Sequence, residues 1–265
     1  VKRIGRGKSR SMISSFEDWK IQGLFGAPSV LFDSVDSTHL EMKRRYQDLI
    51  DGTVIVANSQ IAGRGRHFRQ WVSPAEKNLY FNILLPLHEI PLKNAPQLMQ
   101  VAALSIAEFL NDSGISGIFV KWPNDIWHRK EKLGGVIAEI LPSPVERKLS
   151  LGIGLNVNVS VSDLSGIDKP ATSLSILSGK ILDREKLLID ILKKLEQAFK
   201  EFRNSGILPW LEKWRKMACF VGSSASIVEG KTSITGKILG IENDGSLLFE
   251  TESGVRRIYS GDLEI

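Results

Sequence analysis

The chain has 265 residues, 42% hydrophobic and 25% charged, with a formal net charge of +5, the proportions of one large globular domain or of one domain with a small satellite. Its single cysteine, Cys219, excludes an intramolecular disulfide. No apolar run reaches the length of a membrane span or a secretory signal, so a reducing cytoplasm is the expected compartment.

Residues 1–28 form a basic N-terminal segment, expected to be partly disordered or helical. Lys2, Arg3, Arg6, Lys8 and Arg10 cluster there without balancing acids, and Ser14 to Phe25 has mild helical character. The segment is too short for a winged-helix DNA-binding domain with a core of its own. The chain begins at Val1 rather than methionine, which leaves a processed product, a fragment and further upstream sequence all open. A strand signal at Val30 to Phe32 is followed by Asp36 or Ser37 as N-cap of a helix through Ile50, with Gly52 where it stops.

Thr53 to Asn58 reads as a strand and leads into GRGRHFRQW, Gly63 to Trp71. Arginines there suit carboxylates and phosphates, glycines let backbone amides approach the same ligand, and Trp71 offers a face to a planar ring. The competing reading is a solvated basic turn with Trp71 anchored in the core. Further strands are expected at Leu79 to Leu85, Ile118 to Lys121, Gly135 to Leu141 and Leu149 to Val159. Helical spacing marks Ala95 to Asn111 through Leu98, Val101, Ala102, Ile106 and Leu110. It marks Arg184 to Phe202 through Leu187, Leu188, Ile191, Leu195, Ala198 and Phe202, with Asp183 as N-cap and Gly206 as stop.

Three further segments look chemical: Lys121-Trp122-Pro123-Asn124-Asp125 at a strand end, Lys132-Leu133-Gly134-Gly135 after a short polar loop, and Gly152-Ile153-Gly154-Leu155-Asn156-Val157-Asn158. Each also has an architectural reading, as a turn, a hairpin, and a bulge or close backbone approach respectively. After Trp210 to Met217 the helical period gives way to short alternating runs at Ala225 to Val228, Ser233 to Ile241, Leu247 to Glu250 and Val255 to Tyr259, separated by glycine turns. These read as a small β-barrel. The whole reads as α+β, a mixed, largely antiparallel sheet with helices packed on it and no regular βαβ alternation. The expected division is residues 29–219 and 220–265.

In this order GRGRHFRQW, KWPND, KLGG and GIGLN resemble the biotin protein ligases, with Asp36-Ser37-Thr38, Gln60 and the closing Ile258-Tyr259-Ser260-Gly261-Asp262 also fitting. The resemblance covers roughly residues 30 to 265. It implies a class II aminoacyl-tRNA synthetase-like catalytic fold with a C-terminal SH3-like β-barrel, of the monofunctional type without a DNA-binding domain. It also implies a two-step reaction: biotin and MgATP give biotinyl-5′-adenylate and pyrophosphate, and a lysine of a biotin carboxyl carrier protein domain then takes the biotin. Lys132 and Arg66 are the implied catalytic cations, because two anions must be brought together and their repulsion offset.

By the same resemblance Ser37, Thr38, His39 and Gln60 serve the neutral ureido ring, which suits hydroxyls and amides better than charges. Gly63, Arg64, Gly65 and Arg66 complete those contacts, and Gly134, Gly135 and Gly154 let main chain pass the valeryl tail. Arg66, Arg69, Trp71, Asn124, Lys132 and Asn156 are assigned to ATP, and Asp125 to Mg²⁺, through water. Water must be kept from an acyl adenylate, so the arginine loop and Ser160 to Thr172 are expected lids, the first ordered by biotin. Phe68 and His39 depart from the family's usual glycine and asparagine. The four histidines, at 39, 67, 88 and 128, lack zinc-ligand spacing and are expected at surface or loop positions. Lipoate or octanoate transfer is the alternative within the superfamily, and a nucleic-acid-binding module is the alternative of another class. No membrane association or specific DNA binding is expected, and the state is monomer or homodimer.

Overall fold

The computed structural model describes residues 15–88, 90–142, 146–167, 169–229 and 232–265, apart from the side chains of Phe68 and Glu229. The basic cluster Lys2 to Arg10 and the side chain of Phe68, the departure from the family's usual glycine, lie outside that description. The first part of the chain gives β1 (Ser29–Val35), α1 (Thr38–Arg45), β2 (Val54–Gln60), β3 (Leu79–Pro86), α2 (Ala95–Asp112), β4 (Ile118–Lys121), β5 (Asp125–His128), β6 (Glu131–Leu141) and β7 (Lys148–Leu155). Helices α3 (Val161–Leu164), α4 (Leu174–Ser178), α5 (Arg184–Ser205) and α6 (Leu208–Met217) follow. Strands β8 (Ser224–Glu229), β9 (Thr232–Ile241), β10 (Leu247–Thr251), β11 (Gly254–Ile258) and β12 (Asp262–Glu264) complete the chain.

The first seven strands form one sheet in the order β1-β2-β3-β7-β6-β5-β4. Only β1 and β2 pair parallel in it, so the expected mixed, largely antiparallel sheet is present. Period-two alternation decides its faces. Leu79, Phe81, Ile83 and Leu85 of β3 and Leu149, Leu151, Ile153 and Leu155 of β7 are buried in the main core. That core includes the stripe of α2, Leu98, Val101, Ala102, Ile106 and Leu110, and that of α5, Leu188, Ile191, Leu195, Ala198 and Phe202. Burying one such leucine or isoleucine contributes roughly 2 kcal/mol. Glu108 of α2 meets Lys194 of α5 at 2.6 Å and Lys213 of α6 at 3.0 Å, fixing the three helices at their solvent edge.

The opposite face carries Tyr80, Asn82 and Leu84 beside Gly154, Gly152 and Ser150 in register, and Gly135, Ile137 and Glu139 beyond them. Helix α1 covers the Leu84 end, where Met42 packs with Ile55, Leu84 and Leu141. The glycine end is covered by Trp71 instead. Near the N-terminus Phe16, Trp19, Ile21 and Leu24 are buried in the main core; the mild helical character expected here resolves into two single 3₁₀ turns, Phe16–Asp18 and Leu24–Gly26.

Several expected elements differ. Helix α1 ends at Arg45 rather than Ile50, with Lys43, Arg44 and Arg45 in its last turn, where cations favour the carboxyl end. Ser37, not Asp36, is its side-chain cap, accepting from His39 N. Residues expected as a polar loop before Lys132 include β5, and Gly134-Gly135 lie inside β6 rather than in a hairpin turn. The 160–172 segment includes α3, closed by a capping box between Ser160 and Asp163. Asp183 caps α5 as expected, and Gly206 ends it at φ 64°.

The C-terminal strands form an antiparallel sheet in the order β11-β10-β9-β8-β12. This is the small antiparallel β unit expected; among the described residues it does not close, with β11 and β12 at opposite edges. Four of the five residues of β11 are exposed, so that edge offers no apolar row to pack against β12. Ile238, Ile241, Leu247 and Phe249 join Trp210 and Trp214 in the main core. At the joint the Gly245 carbonyl accepts from Gln100 Nε2 (2.8 Å) and Trp122 Nε1 (3.1 Å), while the Asp244 carbonyl accepts from Gln97 Nε2 (2.9 Å). Among the described residues no helix is long and apolar enough to cross a membrane.

Candidate active site

Three rungs of this face define a floor: Tyr80-Gly154-Gly135, Asn82-Gly152-Ile137 and Leu84-Ser150-Glu139. The rungs show what the glycines do. A Cβ on Gly154 would lie 2.6 Å from the Trp71 indole, and one on Gly152 2.9 Å from Ile137. Both glycines sit within continuous β7, so close approach, not a bulge, is their role.

Above Gly154 the arginine loop folds back on itself. Gly65 N donates to Arg69 O (2.7 Å), Trp71 N to Gly63 O (2.9 Å) and Arg69 N to Arg66 O (3.0 Å). His67 supplies the reversal at φ 51°. A Cβ on Gly63 would strike the Trp71 carbonyl at 2.4 Å, so only glycine lets the two limbs meet. Trp71 thus faces the floor, its Nε1 buried with no hydrogen-bond partner among the described residues. The architectural reading, an anchored tryptophan, holds for one edge of this ring, while its other neighbour is a cation: Lys132 Nζ lies 5.5 Å from the ring centroid.

Lys132 stands beside a register shift between β5 and β6, and its own backbone pairs with residues 170–172 through Lys132 N to Pro170 O (2.9 Å) and Thr172 N to Lys132 O (3.0 Å). Its Nζ is 2.7 Å from Asp125 Oδ1. A Cβ on Gly135 would crowd both, lying 3.2 Å from Asp125 Oδ1 and 3.4 Å from Lys132 Nζ. Pro123 and Asn124 form the turn between β4 and β5, and Asn124 Nδ2 donates to Val136 O at 2.6 Å. Arg66 Nη1 reaches Asn124 Oδ1 and Gly261 O, each at 3.3 Å. Burial pulls the Arg66 guanidinium below its usual range while Asp262 and Asp125 favour its charge. It remains a cation. Lys121 is likewise pulled down by burial, its Nζ 4.4 Å from the Trp127 ring. Asn156, 6% exposed, donates to Thr172 O (3.0 Å) and accepts from Asn78 Nδ2 (3.3 Å).

The other end of the floor presents hydroxyls and amides, with the half-exposed Glu139 carboxylate at its margin. Thr38 N and Oγ1 approach Gln60 Oε1 at 2.9 and 3.1 Å, and Gln60 Nε2 donates to Ser73 Oγ at 2.9 Å. Ser37 is buried beside them. His39 is 7% exposed, not at the surface or in a loop. Its Nε2 lies 2.8 Å from Glu139 Oε2, and its Nδ1 lies 3.3 Å from Asn82 Nδ2 and 3.1 Å from Ser150 Oγ. The Nε2–H tautomer satisfies that set. Burial lowers the His39 pKa and outweighs Glu139, so the ring is neutral near pH 7. Glu139 is pushed up by burial but held below its ordinary value by Lys43 and His39.

Sequence reasoning missed Asn82, Ser150, Glu139 and Asp262. Asn82 left a signal as one amide inside the apolar run Leu79 to Leu85, and Asp262 left one as the end of the fitting closing stretch, though not as a site residue. Arg64 is exposed and Gly65 half-buried, whereas Gly63 and the Ser37-Thr38 pair are buried beside the floor, and Gly134 faces the main core, where a Cβ would lie 3.1 Å from Leu155. Arg69 turns to Asp262, 2.7 Å away. Cys219, with its thiol pushed up to about 12 by burial and donating to Val120 O, is no nucleophile at neutral pH.

Residues 31–158 match the Biotin/lipoate A/B protein ligase family, and residues 227–265 match the Biotin protein ligase C terminal domain. The chain is 34% identical over 217 residues to the bifunctional ligase/repressor BirA of Bacillus spizizenii, covering 81% of this chain and 66% of that protein. It is 30% identical over 234 residues to BirA of Salmonella typhimurium, covering 87% and 72%. The chain therefore spans about two thirds of the length of these curated relatives. A solved biotin protein ligase from Aquifex aeolicus, in complex with biotin and ATP, aligns with TM-score 0.78 and 32% identity over 89% of this chain and 97% of that one. With the four motifs gathered on one glycine floor and the match running through both sheets, the chain belongs to the biotin protein ligase family.

Proposed function

We propose that this chain is an ATP-dependent biotin protein ligase, making biotinyl-5′-adenylate and then biotinylating a lysine of a biotin carboxyl carrier domain. One observation carries the reading: the floor is polarised, with hydroxyls and amides at the Ser37-Thr38-Gln60 end and Lys132 and Arg66 at the other. Such a groove suits a ligand with a neutral hydrogen-bonding head, an apolar body and a carboxylate tail. Lipoate and octanoate lack the polar head and would leave Gln60 and Thr38 facing apolar atoms, which a hydrogen-bonding site rejects. A thioester route would need a thiolate, and Cys219 is held as a thiol. A bare nucleic-acid groove would not need a glycine pressed under a tryptophan.

In the first step the biotin carboxylate oxygen attacks the α-phosphorus of ATP and the bond to the bridging oxygen breaks, releasing pyrophosphate. Lys132 and Arg66 offset the repulsion between those anions. Ser37, Thr38, His39, Gln60 and the Gly63 to Arg66 backbone hold the head, His39 through the ring it keeps neutral. Gly134, Gly135 and Gly154 border the tail, where Trp71 Nε1 offers a donor. Trp71, Asn124 and Asn156 serve the nucleotide, and Arg69, 2.7 Å from Asp262, serves it through the loop it holds. Among the described residues no group of three His, Cys, Asp or Glu side chains could hold a metal alone. Mg²⁺ is commonly held by few carboxylates plus phosphates; Asp125, 2.7 Å from Lys132 Nζ, is the carboxylate that would hold it, and the ion would supply charge neutralisation on the phosphates. In the second step the acceptor amine attacks the acyl carbon, AMP leaves, and the amine loses a proton to give the amide.

The arginine loop and the 160–172 segment act as covers against water, and the division at 219/220 separates the catalytic part from the C-terminal sheet. The test is biotin-dependent exchange of pyrophosphate into ATP together with biotinyl-5′-adenylate detected by mass. Exchange independent of biotin, or supported better by lipoate, refutes the assignment.

A further inference from the structure

The C-terminal sheet reaches the site through one carboxylate. Gly261, at φ 131°, turns the chain into β12, and Leu263 anchors the strand in the core. Asp262 then points at the arginine loop: Arg69 Nη2 lies 2.7 Å from Oδ2, and Arg66 Nη1 and His67 Nε2 each lie 4.0 Å from Oδ1. The carboxylate is only 17% exposed. Two residues on and on the same face of this short strand, Glu264 Oε1 is 3.8 Å from Lys169 Nζ, in the second cover. One face of β12 therefore touches both segments that border the nucleotide side.

Building on the ligase reading, we propose that Asp262 is a positioning residue: it holds the arginine loop in its closed pose, with Arg69 as the latch, so that Arg66 is already aimed beside Asn124 when the triphosphate arrives. The contacts divide the labour. Arg69 has a short, charge-assisted contact to Asp262, whereas Arg66 has only long ones, at 3.3 and 4.0 Å, and is the guanidinium left to take a phosphate. A loop fixed in advance need not be ordered at the moment of binding, which favours ATP affinity. The opposite model has Asp262 compete with ATP for the arginines, and it predicts the opposite sign.

The experiment compares wild type with Asp262→Asn, Asp262→Glu, Arg69→Ala and the Asp262→Asn/Arg69→Ala double variant. Asp262→Asn is expected to raise KM for ATP by several-fold to about tenfold, the size of one charge-assisted contact, leaving kcat and the thermal midpoint nearly unchanged. Asp262→Glu restores KM in large part, and in the Arg69→Ala background Asp262→Asn adds little. Independently of turnover, trypsin cleavage after Arg64, Arg66 and Arg69 speeds up in Asp262→Asn, both without ligand and with biotin. Unchanged cleavage, a lowered KM for ATP, or effects that multiply in the double variant overturn the proposal. Faster loop cleavage in a protein without biotin-dependent exchange upholds the latch and sinks the ligase reading instead.

Discussion

Gly154→Ala places one methyl group where the Trp71 ring now lies. The ideal Cβ position is 2.6 Å from Cε2, 2.7 Å from Nε1 and 2.9 Å from Cζ2, so three ring atoms are inside contact distance together. Rotation about one side-chain bond cannot relieve all three, because the Trp71 backbone is tied to Gly63 O at 2.9 Å. The ring and its end of the loop must rise by about 1 Å, at a cost of about 1–3 kcal/mol in overpacking and a loss of up to roughly 100-fold in rate if the cations move with it. The assay is single-turnover formation of biotinyl-5′-adenylate, with the thermal midpoint measured alongside. A large fall in rate with a midpoint lowered by only a few degrees is expected. Wild-type adenylation by Gly154→Ala would refute the claim that the indole rests on the floor and sets the height of the loop.

Lys132→Ala and Arg66→Ala should each abolish adenylate formation with a cooperative thermal transition retained; turnover within twofold of wild type would remove either from the cationic end. His39 gives a pH dependence. Its folded pKa lies below the ordinary value, so the unfolded chain takes up the proton first, and stability present above about 6.5 is lost as pH falls towards the depressed value. Denaturant midpoints should therefore drop more steeply below that pH in wild type than in His39→Asn, and equal slopes would contradict the neutral ring. Removing residues 220–265 would strip Trp210 and Trp214 of Ile238, Ile241, Leu247 and Phe249 and leave the amides of Gln97 and Gln100 without their acceptors. Phe249→Ala, at a fully buried position, should cost about 3–5 kcal/mol by denaturation, and the truncated chain should fail to fold cooperatively.

Local chemistry made the arginine loop, the KWPND turn, the KLGG segment and the glycines of β7 legible before any fold was known. Each packs unusual residue types into a few positions. The long helices were legible for the same kind of reason, since α2 and α5 carry unbroken apolar stripes between recognisable ends. Strand β5 was not, because its four residues offer only Ile126 and Trp127 as apolar signal between polar neighbours. Openness of the C-terminal sheet was hidden too, since alternation and turn spacing are the same whether or not the edge strands meet. What stayed out of reach in the site is long-range pairing. His39 meets Glu139 a hundred residues away and Arg69 meets Asp262 across the two sheets, and no periodicity announces either contact.

The most direct measurement is the intact mass of a biotin carboxyl carrier domain after incubation with this protein, MgATP and an equimolar mixture of biotin, lipoate and octanoate. The polarised floor predicts a single addition of biotin on one lysine, dependent on ATP and absent with Lys132→Ala. Preferential addition of lipoate or octanoate, or no addition in the presence of biotin-dependent pyrophosphate exchange, would contradict it.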